Sequence, residues 1–170
     1  MERLIAIVLL AVLAAEAKPR DIRYLPPVAF KNLPAKVVAD LQKRKCMIPQ
    51  YPRSWMFPDR INVTAGELSK TGQKDWAVLC TNPVEVTLLV YWNGSEKDPA
   101  TIPIGSKAAY WYSGLMPQDS LKKTYAVKMP DLQLDHDGIC ITDEEERTVI
   151  RYFQNGKWTA FRGIPHDEGH

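Results

Sequence analysis

Beyond residue 60 the chain alternates between short apolar runs and polar turns. Asp75–Thr81 (DWAVLCT) and Val86–Trp92 (VTLLVYW) are dense in β-formers, with turn material (TNPVE) between them. Asn93-Gly94 follows, a dipeptide that favours tight turns. Lys107–Gly114 (KAAYWYSG), Lys122–Met129 (KKTYAVKM) and Gly138–Thr142 (GICIT) read as further strands. Thr148–Gly163 sets Asn155-Gly156 between two nearly alternating runs, which predicts a hairpin. Ahead of this β region, Asn32–Lys45 has helical spacing. Val37, Val38 and Leu41 share a face, Asn32 offers an N-cap, Pro34 suits the first turn, and the basic residues lie at the C-terminal end. Cys46–Arg60 carries Pro49, Pro52 and Pro58 and reads as a loop or an irregular edge segment. The pattern predicts a mainly β protein with a minor α component: one short N-terminal helix and one β-rich domain over residues 33–165.

Two stretches align without a gap. Asp75–Gly94 and Asp137–Gly156 each run from an Asp through a strand, a polar turn and a second strand to an Asn-Gly turn. Tyr91-Trp92 precedes one turn and Tyr152-Phe153 sits just ahead of the other. This predicts two related antiparallel β-meander units of about sixty residues, near 58–105 and 120–163, packed together because one unit cannot bury both its faces.

The ends set the compartment. Arg3 precedes an apolar run from Leu4 to Ala15, and Ala15-Glu16-Ala17 places small residues ahead of a cleavage point. Residues 1–17 therefore read as a secretory signal peptide. The run is shorter than the roughly 20 residues a spanning helix needs, so no membrane span is expected after its removal. Residues 18–32 read as an extended arm and 166–170 as a loose tail. The expected location is secreted or periplasmic, and the expected state a monomer. The formal charge of +2 is dispersed, and the short basic run at 42–45 is a solvated helix end; nucleic acid is not an expected partner. Of three cysteines, Cys46 follows a helix and Cys80 ends a core strand, so these two are the expected disulfide. Cys140, in the apolar context DGICI, is read as a buried, inert thiol.

Gly66–Leu79 (GELSKTGQKDWAVL) resembles the FG-GAP or VCBS-type repeat of integrin-like propeller blades. The frame holds at Gly66, Gly72, Asp75 and the Trp76-Ala77-Val78-Leu79 strand. With Cys46–Gln50, Gly72–Cys80 and Asn155–Trp158, the chain also resembles a group of uncharacterised exported bacterial proteins that carry no assigned activity. The FG-GAP resemblance implies calcium ligands at Glu67, Ser69, Thr71 and Asp75. Calcium takes about six to eight oxygens, several from carboxylates. Here two of the four positions are hydroxyls, and Lys70 and Lys74 stand among them. The loop is therefore read as a turn without metal, with Gly72 supplying a positive φ and Asp75 bridging the turn. No cofactor is expected.

Two other stretches carry candidate chemistry. Asp135-His136-Asp137 sets an imidazole between two carboxylates, the makings of a general base. Adjacent residues of an extended chain point to opposite faces, so the stretch reads first as a polar turn. Tyr110, Trp111 and Tyr112 offer an aromatic binding surface, with core and rim packing as the competing use. The sequons at Asn62 and Asn93 have meaning only in a eukaryotic secretory pathway. No nucleophile elbow, HExxH pair or phosphate loop occurs. The expected function is a non-catalytic binding module with a protein or glycan partner. The alternatives are a small exported hydrolase using Asp135-His136-Asp137, or an inhibitor of an extracellular enzyme.

Overall fold

A computed structural model of the chain describes residues 22–50, 61–83, 85–106, 111–125, 131–143 and 147–162. The expected signal peptide, residues 18–21 of the arm, the tail and Tyr110 lie outside the described residues. The elements run β1 (Arg23–Leu25), a 3-10 turn (Pro27–Ala29), α1 (Ala35–Lys43), β2 (Ile48–Gln50), β3 (Val63–Gly66), β4 (Asp75–Thr81), β5 (Glu85–Tyr91), a second 3-10 turn (Trp92–Gly94), β6 (Ala100–Ser106), β7 (Trp111–Met116), α2 (Gln118–Tyr125), β8 (Gly138–Asp143), β9 (Thr148–Gln154) and β10 (Lys157–Arg162).

Mainly β is the observed class. The strands form two four-stranded antiparallel meanders, β3-β4-β5-β6 and β7-β8-β9-β10 in order, with a small β1-β2 pair beside them. The second sheet starts at Trp111, ahead of the position near 120 expected for a second unit.

Alternation along the strands builds the layers. On one face of the first sheet, Ala77, Leu79, Leu88, Val90 and Ile102 meet Ile139 and Ile141 of the second sheet. On its other face Val78, Cys80, Leu89 and Tyr91 meet Val37 and Leu41 of α1, with Phe30, Leu33 and Ile48. The outer face of the second sheet sets Ile150 and Tyr152 against Leu121 and Tyr125 of α2 and against Leu134. The order is helix, sheet, sheet, helix. β4 and β5 are covered on both faces, which explains why they read as nearly continuous apolar runs. Each fully buried Leu or Val here is worth about 1.5–3 kcal/mol over an exposed one.

The helix over Asn32–Lys45 is present but begins at Ala35, with Pro34 at the N-cap and no side-chain cap, so Asn32 does not serve as one. Lys122–Met129 is not a strand over its described part. Residues 118–125 are α2, because Leu121 and Tyr125, four apart, are both buried while Lys122 and Lys123 stay outside. The N-terminal helix is thus one of two α-helices among the described residues. Asn93 and Gly94 have φ of 50° and 66°, and Asn155 and Gly156 have φ of 53° and 73°. The second pair closes a two-residue hairpin between Gln154 and Lys157. Cys46 and Cys80 are disulfide-bonded, with Cα atoms 5.3 Å apart, which ties the end of α1 to β4.

Candidate functional site

The loop between β3 and β4 is where the sequence points first, and its polar groups are spent on the protein. Asp75 opens β4 with no exposed surface. Its Oδ2 accepts a bond from Ser69 Oγ at 2.8 Å. Its Oδ1 accepts from Gln73 Nε2 at 2.7 Å and from the Asn93 backbone N–H at 2.8 Å. Gln73 Nε2 also donates to Ser69 Oγ at 2.8 Å, so one carboxamide bridges two of the four residues implied as calcium ligands. Thr71 Oγ1 instead donates to the Asp135 carbonyl at 2.6 Å. The Lys74 ammonium lies over the Trp76 ring, 5.1 Å from its centroid. Ser69 and Asp75 are brought together, while Thr71 is turned to the other sheet's approach. Among the described residues no group of three His, Cys, Asp or Glu side chains is placed to hold a metal ion.

The same loop clamps the two sheets. The backbone N–H of Glu67 donates to Asp137 Oδ2 at 2.9 Å, and the Asp137 N–H donates back to the Glu67 carbonyl at 2.9 Å. Asp137 Oδ1 accepts from the N–H of Gln118, at the start of α2, at 2.9 Å. Close approach here demands a bare Cα at Gly66. A Cβ would collide with Leu115 Cδ1 and sit 2.8 Å from Asp137 Oδ2. Gly72 is free of neighbours but has φ of +81°, the conformation that favours glycine. Asn62, just before β3, closes the seam further along. It is 1% exposed, and its Nδ2 donates to the Pro49 carbonyl at 2.9 Å. Its Oδ1 accepts from the Ser113 N–H at 2.7 Å.

His136 is buried, and Asp135 and Asp137 do not flank it as a catalytic pair. It is 3% exposed, with its ring stacked on Tyr152 at 4.2 Å between centroids. Its Nδ1 lies 2.8 Å from the Asp137 carbonyl and its Nε2 lies 2.7 Å from the Phe153 carbonyl. Both ring nitrogens therefore face backbone acceptors. The Asp137 carboxylate is turned to the two backbone N–H groups above, and Asp135 Oδ1 stands 3.8 Å from Nε2. The Tyr152 hydroxyl accepts the Asp135 N–H at 3.0 Å and faces the Gln133 carbonyl at 2.7 Å. Burial pushes its phenol up to about 12, a rise that the two backbone N–H donors partly offset.

The remaining candidates separate. Burial pushes the Cys140 thiol up, and its polar contact is Thr142 Oγ1 at 3.8 Å. Trp111 and Tyr112 are neighbours on β7, paired with Asp143 and Thr142 of β8. Aromatic residues do meet elsewhere. Trp92, Phe153 and Trp158 gather at one end of the two sheets, with Trp92 4.9 Å from Phe153 and 5.9 Å from Trp158. Two of these precede the Asn-Gly turns, which is the signal by which the sequence marks them. On the α1 side, the Tyr91 hydroxyl donates to Asp40 Oδ2 at 2.9 Å, and Arg44 Nε reaches the same oxygen at 2.6 Å. Burial and the Asp40 carboxylate push the Tyr91 phenol well above its ordinary range.

An open cleft of about 470 Å³ lies at the clamp, lined by Ala65, Gly66, Glu67, Gly72, Lys74, Leu115 and Asp137. No helix among the described residues is long and apolar enough to cross a membrane. No protein-family model, no curated protein and no solved structure matches the chain.

Proposed function

We propose that the chain is a secreted, non-catalytic binding module built from two related β-meander units, in the broad manner of FG-GAP-like domains, with a protein or glycan partner. One observation carries the non-catalytic reading. His136, the best candidate for a general base, is buried with both ring nitrogens against carbonyl oxygens. A general base has to reach the proton it takes. Of the neighbouring carboxylates, Asp137 is engaged in holding two backbone N–H groups. The relatedness of the units is supported by two four-stranded meanders whose Asn-Gly turns share positive φ at both residues. The Cys46–Cys80 bond supports an oxidising location.

The test is a panel of chromogenic ester, phosphate, glycoside and peptide substrates applied to the oxidised mature chain. No turnover above the uncatalysed rate is expected. Turnover that disappears in His136→Gln, with the fold retained, would establish the hydrolase instead.

A further inference from the structure

The two sheets are closed on one side and open on the other. β3 lies against β7, and the Asn62–Ser113 bond joins them. β6 and β10, the far edges of the two sheets, make no such contact among the described residues. Pairing of β9 with β10 sets Phe153 opposite Trp158, Arg151 opposite Ala160 and Val149 opposite Arg162. Alternation therefore puts Arg151, Phe153, Trp158, Ala160 and Arg162 on one face, the face that Trp158 turns to the first sheet. The first sheet does not cover it fully. Ala160 and Arg162 are exposed, and Arg151, Phe153 and Trp158 are half-buried. Trp92 of the first sheet closes one end of this strip against Phe153 and Trp158.

The chemistry of the strip is one-sided. Among the described residues, neither the Arg151 nor the Arg162 guanidinium makes a hydrogen bond or an ion pair. Three buried side-chain nitrogens there lack an acceptor, and two of them, Arg151 Nε and Trp158 Nε1, belong to residues of this face. Buried donors are ordinarily paired. Here the chain supplies cations and N–H donors and no acceptor to meet them. A guanidinium fork matches a carboxylate in shape and charge. The rings beside it offer flat apolar surface with a polar edge, on which the C–H face of a sugar can pack.

We propose that this strip binds an acidic saccharide, a chain containing uronic acid residues, with its carboxylates at Arg151 and Arg162 and a sugar ring against Trp158. A neutral sugar would leave both arginines unmatched. The oxidising location that the disulfide supports favours a glycan over a nucleic acid, the other polyanion with flat rings. This assignment rests on the binding-module reading and names the ligand class for it.

The test is calorimetric titration of the oxidised mature chain with hexagalacturonate and with a hyaluronan hexasaccharide. The methyl ester of the first, which keeps the rings and loses the charge, and oligothymidylate serve as comparisons. Saturable binding of at least one acidic saccharide is expected, weakening as salt is raised. The ester should bind about tenfold more weakly or worse, the loss that follows from missing charge-assisted bonds. Arg151→Gln and Arg162→Gln should each weaken binding by about threefold or more. Arg162 is exposed, so its replacement should leave the melting temperature unchanged and separate lost binding from lost fold. No saturable binding of either saccharide up to about 10 mM, an affinity too weak to count as a site, overturns the assignment. Equal binding of the ester, or unaltered binding by both variants, overturns it as well. Oligothymidylate bound as tightly as the saccharides overturns it in favour of a nucleic acid. These failures would leave the non-catalytic reading intact, whereas turnover in the substrate panel would remove that reading and leave the binding result standing.

Discussion

Replacing Asp75 by Ala tests how the β3–β4 loop is held. The carboxylate has no exposed surface and receives three donors: Ser69 Oγ, Gln73 Nε2 and the Asn93 N–H. A hydrogen bond to a charged group contributes about 1.5–3 kcal/mol, and a buried donor left without an acceptor costs about 1–3 kcal/mol. Ser69 and Gln73 are half-buried and can turn to water, whereas the Asn93 N–H is fixed by the turn that follows β5. The loss should therefore fall short of three full bonds, at about 3–5 kcal/mol. Asp75→Asn keeps an oxygen for the Asn93 N–H and the shape of the side chain, so it should cost about 1–2 kcal/mol. Ser69→Ala should cost less again, because one of three donors is removed and the Gln73 N–H that loses its acceptor is half-buried and can turn to water. Urea unfolding followed by tryptophan fluorescence, under oxidising conditions, gives the three values. Asp75→Ala within about 0.5 kcal/mol of wild type, the range of ordinary surface changes, would refute the reasoning. Asn and Ala variants of equal cost would place the effect in the negative charge rather than in its donors.

Three further predictions address the frame around the cleft. The Cys46–Cys80 bond closes a separation of 34 residues, so its replacement by Ser at both positions should cost about 4 kcal/mol by loop-closure entropy, read as a fall in the urea midpoint. A reductant should reproduce this loss in wild type and leave the double variant unchanged. Gly66→Ala drives a Cβ into Leu115 and Asp137 Oδ2 and should cost about 1–3 kcal/mol, measured by the same unfolding assay. Tyr152 is held neutral up to about 12 in the fold, above the ordinary phenol value of about 10. Its contribution to stability should be complete below about pH 10 and vanish as pH rises through about 12. Ultraviolet phenolate absorbance and melts across that range should show a larger loss in wild type than in Tyr152→Phe, where the raised Tyr91 phenol alone contributes.

What the sequence shows follows from how locally each feature is determined. β4, β5 and the β9–β10 hairpin are legible because apolar runs and Asn-Gly turns agree within each segment. The disulfide is legible because helix end and strand end bracket its cysteines. The second helix is hidden by Thr124 and Tyr125, which favour strands one by one, although Leu121 and Tyr125 have helical spacing. The β3–β4 loop shows its frame in the chain but not its partners. Nothing near Glu67 announces that Asp137 will meet it, since the two are 70 residues apart and joined only by packing of the sheets. His136 is misleading for the same reason. Two flanking carboxylates suggest a base, whereas its true neighbours are the Phe153 and Asp137 carbonyls and the Tyr152 ring. Asn62 reads as a sequon by spacing, while the fold uses its side chain to join β2 to β7.

The most direct test of the account is the thermal melt of the oxidised mature chain in EDTA and again in millimolar calcium. An ion that binds only the folded state must raise the melting temperature. With the Asp75 oxygens committed to Ser69, Gln73 and Asn93, the two melts should coincide. A calcium-dependent rise that is lost in Asp75→Asn would contradict the account and make the β3–β4 loop a metal site.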